Sequence, residues 1–209
     1  MMESDYYEKD DNYEGDHSLV NFNSLLTSIK DTLLTYLPPL PLYFPTTETY
    51  LSEIPMKNNR KLFISDAHSC SDKNLLNLHN ITGIVSIRTT YALLSPVYKK
   101  IDELECKEGI DVLKLYMNDK PTISLIDHIN PIIHFIDQCL DEKRQVLIHC
   151  TAGKSRSVAF TILYLMIKEK QTFYQAFDLV KNIRPEILMN SGFIEQLLSI
   201  NHLLSARVE

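Results

Sequence analysis

The chain has 209 residues, of which 44% are hydrophobic, and this suits one packed domain of ordinary size with an extension. Its formal net charge of −6 comes from residues 1–16, which hold seven acids and one base, so residues 17–209 balance to zero. A neutral body without a cluster of Lys and Arg argues against binding to nucleic acid or to an anionic membrane through phosphate charge.

Cysteine usage points to a reducing compartment, and the lack of long apolar segments argues against a membrane span. The four cysteines have no disulfide-framework or metal-ligand spacing, which predicts free thiols and neither a metal nor another cofactor. No segment has 18 consecutive apolar residues and no secretory signal is evident, so we expect no membrane span. We expect a cytoplasmic location, with the nucleus left open.

Three segments precede the body of the chain. Residues 1–17 are acidic and polar, which predicts a disordered tail. Residues 18–37 have apolar side chains at alternating spacings of three and four and are followed by Pro38, which predicts an amphipathic helix. We expect that helix to dock on the catalytic domain or to mediate self-association or partner binding through residues 19–37, while its scarcity of basic residues disfavours membrane binding. Residues 38–53 are rich in proline and predict an extended linker.

The body, residues 54–205, alternates strand and helix patterns. This alternation predicts an α/β fold with a mostly parallel central sheet of about five strands flanked by helices, preceded by the N-terminal helical extension. The strand patterns are Lys61–Ser65, Gly83–Arg88, Val112–Tyr116 and Gln145–His149. The helix patterns are Lys73–Asn80, Pro96–Cys106, Ile123–Leu140, Ser155–Lys168, Thr172–Ile183 and Ser191–Leu204.

The turn between the fourth strand pattern and the next helix carries the most informative residues. It runs from His149 and Cys150 to Arg156 and Ser157, with Gly153 between them. Backbone amides and the positive end of a helix dipole meet at such a turn, which predicts an anion site. A cysteine there has a lowered pKa, and arginine can grip two phosphate oxygens at once. We expect the amides of residues 151–156, His149 and Arg156 to stabilise the Cys150 thiolate, and Ser157 to donate to its sulfur.

This segment resembles the His-Cys-x5-Arg-Ser/Thr signature of the cysteine-based protein phosphatases, and Ser155-Arg156-Ser157 is most similar to the dual-specificity branch. Three further motifs are similar to that branch and occur in its order. They are Leu113 to Pro121, which resembles its general-acid loop, then Tyr164-Leu165-Met166, then Arg184-Pro185 with Asn190-Ser191-Gly192-Phe193 and Gln196-Leu197. The similarity extends from about Ile54 to about Leu204.

The resemblance implies a dual-specificity protein phosphatase that hydrolyses phosphotyrosine and phosphoserine or phosphothreonine through a cysteinyl-phosphate. Cys150 would be the nucleophile and Asp119, 31 residues earlier, the general acid, with Arg156, His149 and Ser157 completing the catalytic set. Phosphorylated proteins would be its partners. The phosphate-binding set would be Thr151, Ala152, Gly153, Lys154, Ser155 and Arg156.

Several alternatives deserve comparison with this interpretation. An ATP-binding P-loop requires a glycine where Ile148 stands, so that interpretation is rejected. Ala152-Gly153-Lys154 also resembles phosphoinositide phosphatases, although Thr151 replaces their usual basic residue. A phosphate-binding module with weak or no turnover remains a third interpretation.

The choice of general acid also has rivals. Asp111 and Asp127 are the neighbouring carboxylates, but the first precedes a strand pattern and the second lies within a helix pattern. Arg88, at the end of another strand, is interpreted as a surface or structural charge rather than an active-site group.

Overall fold

A five-stranded sheet forms the centre of the protein, for which the computed structural model describes residues 51–90, 92 and 95–206. Its strands are β1 Ser52–Pro55, β2 Lys61–Asp66, β3 Ile81–Arg88, β4 Asp111–Tyr116 and β5 Gln145–Cys150. Their order is β1-β2-β5-β3-β4, and only β1 is antiparallel to its neighbour. The predicted α/β fold with a mostly parallel sheet is therefore confirmed.

Seven α-helices connect and cover these strands within the described residues. They are α1 Ala67–Cys70, α2 Lys73–Leu78, α3 Pro96–Glu108, α4 Ile126–Asp141, α5 Arg156–Lys168, α6 Phe173–Ile183 and α7 Ser191–Ser205, with a short 3-10 turn at Lys57–Asn59. None of these helices has the length and apolar character needed to cross a membrane.

Alternating side chains bury both faces of the sheet. In β5, Val146 and Ile148 pack into a core with the helices α4–α7, while Leu147 packs into a second core on the opposite face with α1–α3. The two-residue period of a strand requires this division, and parallel strands covered on both faces read as continuous apolar runs. The central position of β5 places its last residue, Cys150, in the middle of the carboxyl edge.

The sequence located four of the five strands and missed β1, which lies at one edge of the sheet. Strand β1 has four residues, ends in proline and buries only Ser52 and Ile54, so it carries little strand signal. It begins inside the segment predicted as a linker, and residues 52–53 therefore belong to the sheet. Helix α4 begins at Ile126 rather than Ile123. The predictions for residues 1–17, for the helix at 18–37 with its docking or self-association, and for most of 38–53 lie outside the described residues.

Candidate active site

The loop between β5 and α5 forms a cradle whose carbonyl groups point outward. Three of its carbonyl oxygens accept from outside the loop: Thr151 from the Ala67 N–H at 3.2 Å, Gly153 from Arg184 Nε at 2.8 Å, and Lys154 from the Leu188 N–H at 2.9 Å. A trans peptide directs the following N–H to the opposite side. The amides of residues 152, 154 and 155 are therefore directed into the loop, where the start of α5 adds its dipole.

Cys150 lies at the base of this cradle with only 2% of its surface exposed. Burial alone raises the pKa of its thiol, but the Arg156 guanidinium, the Ser157 hydroxyl and the amides of Ser157 and Gly153 together lower it below the ordinary cysteine value. The Ser157 Oγ lies 3.3 Å from the Cys150 sulfur. The sulfur is thus held in surroundings that favour its nucleophilic, ionised form.

Arg156 closes the cradle at the first turn of α5. Its guanidinium donates through Nη1 to the Met117 carbonyl at 3.1 Å and through Nη2 to Thr151 Oγ1 at 3.0 Å. Its Nε is buried and has no hydrogen-bond partner among the described residues. A buried cationic donor without a partner is costly, so this nitrogen suits the oxygen of a bound anion.

Asp119 extends over the same loop from the segment that follows β4. Its Oδ1 accepts from Ser155 Oγ at 2.8 Å and from Asn190 Nδ2 at 2.6 Å. Its Oδ2 lies 3.8 Å from Arg156 Nε. The two rival carboxylates lie elsewhere, because Asp111 binds Arg144 and Asp127 is exposed in the first turn of α4.

His149 is buried beneath the loop and does not act as a neighbouring cation. Its Nε2 lies 2.7 Å from Ser86 Oγ and its Nδ1 lies 3.3 Å from the Cys150 carbonyl oxygen. Burial lowers the pKa of His149 to about 3, and the charges of Arg88 and Arg156 act in the same direction. A neutral imidazole would not stabilise the thiolate by its charge, and a catalytic role of His149 stays a prediction. Its contacts instead fix the backbone at Cys150.

Arg88 is a buried structural charge with 1% of its surface exposed. Its guanidinium donates to both oxygens of Asp102 at 3.1 and 2.9 Å and to Ser86 Oγ at 2.8 Å. It also lies over the Tyr98 ring, 5.1 Å from the centroid. Of the two interpretations given for Arg88, a structural charge is therefore correct and a surface charge is wrong.

Sequence reasoning missed three residues that support the loop. Tyr98 in α3 places its hydroxyl 3.2 Å from Thr151 Oγ1, which links it to Arg156. Arg184 binds the Gly153 carbonyl and donates to Ser52 Oγ at 3.0 Å. Asn190 binds Asp119. Arg184 and Asn190 stand in motifs whose resemblance was recognised, but nothing in the pattern indicated their contacts, and Tyr98 carried no signal beyond helical periodicity.

The arrangement therefore joins a nucleophile, an anion cradle and a carboxyl group in one place. Within the described ranges, no group of three or more His, Cys, Asp or Glu side chains could hold a metal ion. All the predicted site residues lie in or beside the loop, while their individual roles stay predictions.

Known proteins are similar to this chain in sequence and in fold. Residues 62–202 match the family model described as "Dual specificity phosphatase, catalytic domain". Dual specificity protein phosphatase 18 of Rattus norvegicus is 32% identical over 159 residues, which cover 76% of this chain and 71% of that protein. The crystal structure of human tyrosine phosphatase-like serine/threonine/tyrosine-interacting protein has a TM-score of 0.58 at 30% identity, and the match covers 68% of this chain and 91% of that one.

Some relatives are much longer than the matched region. Dual specificity protein phosphatase 12 of Mus musculus is 40% identical over 90 residues, which cover 43% of this chain but only 26% of that protein. The resemblance noted from the sequence motifs is nevertheless confirmed across the catalytic region by the family match. The chain belongs to the dual specificity phosphatase family.

Proposed function

We propose that this protein is a phosphoprotein phosphatase that hydrolyses phosphotyrosine, phosphoserine and phosphothreonine. The observation that carries the proposal is the buried Cys150 sulfur, whose pKa is lowered inside a loop of inward amides closed by Arg156. A thiol held as an anion in an anion-binding loop suits attack on phosphorus, because the thiolate is the nucleophilic form.

The reaction has two steps. The Cys150 thiolate attacks phosphorus in line, an S–P bond forms, and the bond from phosphorus to the leaving oxygen breaks. Asp119 gives its proton to that oxygen and becomes a carboxylate. In the second step water attacks the cysteinyl-phosphate, its proton passes to Asp119, and the S–P bond breaks to release phosphate and the thiolate. Ser157, 3.3 Å from the sulfur, stabilises that thiolate as it leaves.

Electrostatic stabilisation by the cradle is expected to contribute most to the rate. Phosphoryl transfer spreads charge over the equatorial oxygens of the group, and preorganised donors in a buried site stabilise that charge effectively. The Nε of Arg156, which has no hydrogen-bond partner among the described residues, and the inward amides of the loop can donate to those oxygens.

Replacement of the nucleophile tests the proposal. We expect Cys150→Ser to abolish hydrolysis of a phosphotyrosine peptide and of an aryl phosphate, while inorganic phosphate still binds in calorimetry. Cys106→Ser is the matched control, because Cys106 is exposed on α3 away from the loop and its loss should leave turnover unchanged. Turnover by Cys150→Ser at the wild-type rate would disprove the mechanism.

The substrate class requires a second comparison. Thr151 follows the cysteine, and its Oγ1 accepts from Arg156 rather than presenting a further positive charge to a lipid headgroup. This feature, together with the family, favours phosphoproteins. Initial rates on phosphoserine and phosphotyrosine peptides should exceed those on a water-soluble phosphoinositide. The opposite order would identify a lipid phosphatase, and phosphate binding without turnover on any substrate would identify a binding module.

We also propose that the protein acts in a reducing compartment such as the cytoplasm. All four cysteines are free, and a low-pKa thiolate at Cys150 is sensitive to oxidation. Microscopy of the tagged full chain tests this location.

A further inference from the structure

The segment that carries Asp119 is attached to the beginning of α7 at three points. Gln196 accepts from the Leu125 N–H and donates to the Ile123 carbonyl, both at 2.8 Å. Gly192 lies against Pro121 so closely that a Cβ there would come within 2.5 Å of the Pro121 Cα, which leaves room only for glycine. The third attachment is the hydrogen bond from Asn190 to Asp119.

Asn190 uses both ends of its side-chain amide. Its Oδ1 accepts from the Phe193 N–H at 3.0 Å and caps α7, which fixes the orientation of the amide plane. Its Nδ2 is thereby directed to Asp119 Oδ1 at 2.6 Å. The helix cap and the acid are thus connected through one rigid group.

This contact distinguishes the two oxygens of Asp119. Oδ1 accepts from both Asn190 and Ser155, so its two lone pairs are engaged. Among the described residues no donor lies within hydrogen-bond distance of Oδ2, which is 3.8 Å from Arg156 Nε on the side of the anion cradle. A proton on Oδ1 would displace one of the two donors, whereas a proton on Oδ2 leaves both hydrogen bonds intact.

We propose that Asn190 is a positioning residue that assigns the catalytic proton to Oδ2 of Asp119, an inference that rests on the proposed function. During attack by Cys150, the Oδ2–H bond breaks as its proton moves to the leaving oxygen, and the negative charge remains on the Asp119 carboxylate. In the hydrolysis step the same oxygen takes a proton from water. The two hydrogen bonds to Oδ1 are retained throughout, so the carboxyl group does not rotate between the steps.

The sharpest test replaces the donor and keeps the cap. Asn190→Ser retains an N-cap acceptor of similar quality but removes the amide that reaches Asp119. We expect kcat for a phosphoserine peptide to fall about 10-fold, as for loss of one hydrogen bond that aligns a reacting group, with KM unchanged. For p-nitrophenyl phosphate, whose leaving group needs little protonation, the decrease should be less than about 3-fold by the same reasoning.

A double-variant cycle separates positioning from a merely structural role. In an Asp119→Ala background, Asn190→Ser should have no further effect on kcat, because the group that it positions is gone. The control is Thr172→Ala, which removes the cap of α6 and should lower the melting temperature without changing the ratio of the two substrates' rates.

Two results would overturn the inference. One is an equal slowing of both substrates by Asn190→Ser, and the other is a further slowing of the Asp119→Ala variant; either would mean that Asn190 only holds the fold together. Failure of the proposed function has a different signature, because the unmodified chain would then turn over neither substrate.

Discussion

Gly153 is a position at which a single methyl group should damage the nucleophile loop. Its backbone has φ +65°, a conformation that residues with a Cβ adopt at a cost. A Cβ there would also lie 2.7 Å from Arg184 Nη2 and 2.7 Å from the Ser65 carbonyl carbon and oxygen. Ser65 belongs to the buried strand β2, and Arg184 is fixed by its bonds to Gly153 and Ser52. Neither neighbour can move without disturbing the loop.

The expected cost of Gly153→Ala has two parts. The left-handed conformation costs an alanine about 1–2 kcal/mol. The overlap with Ser65 and Arg184 adds about 1–3 kcal/mol, the usual range for an overpacked interior. The free energy of unfolding should therefore fall by about 2–5 kcal/mol. If the loop relieves the overlap by moving about 1 Å, kcat should fall about 100-fold, because phosphate and sulfur would no longer be aligned.

Chemical denaturation and hydrolysis of an aryl phosphate measure the two effects. Gly109→Ala is a matched control, since Gly109 has φ +66° but would place its Cβ with no atom within 4 Å. The free energy of unfolding of Gly109→Ala should fall only by the conformational contribution, about 1–2 kcal/mol, and its kcat should equal that of the wild type. The difference between the two variants isolates the steric part. Equal losses of stability together with wild-type activity in Gly153→Ala would refute this account of the loop.

Two further predictions concern the charges of the site. His149 stays neutral in the folded protein until about pH 3, whereas the unfolded chain binds a proton near pH 6.5, so stability falls as the pH decreases through this window. This one group should lower the free energy of unfolding by about 2 kcal/mol between pH 7 and pH 5. In chemical denaturation, the decrease over the same pH range should be smaller by that amount for His149→Asn. An equal decrease in both proteins would contradict the buried neutral state. Arg156→Lys should lower kcat/KM about 100- to 1000-fold, because lysine cannot replace the planar guanidinium that grips two phosphate oxygens. The control is Arg144→Lys, which should leave kcat/KM unchanged because Arg144 forms a surface ion pair with Asp111. Similar kinetics for both variants would argue against a role for Arg156 in binding phosphate.

The loop from Cys150 to Arg156 could be identified from sequence because its chemistry is local. A strand, a turn with glycine and a helix follow each other within a few residues, and their order alone places the cysteine and the arginine at one helix N-terminus. The interior strands were equally clear, because burial on both faces leaves continuous apolar runs. Strand β1, at one of the two edges, was not, because its four residues are specified by pairing with β2 rather than by their own pattern.

Other features depended on contacts between residues far apart in the chain. The separation of Asp119 from Cys150 indicated a candidate acid, but only the packing of α7 against the intervening segment shows which donors hold it. The charge of His149 also could not be predicted, since a histidine beside a cysteine has the same sequence whether it is buried or exposed. The fold class and the nucleophile loop could thus be predicted from the sequence, because periodicity and short spacing specify both. The neutral state of His149, the outward carbonyls of the loop and the fixed orientation of Asp119 required the folded structure, because burial and long-range hydrogen bonds arise when distant segments pack together.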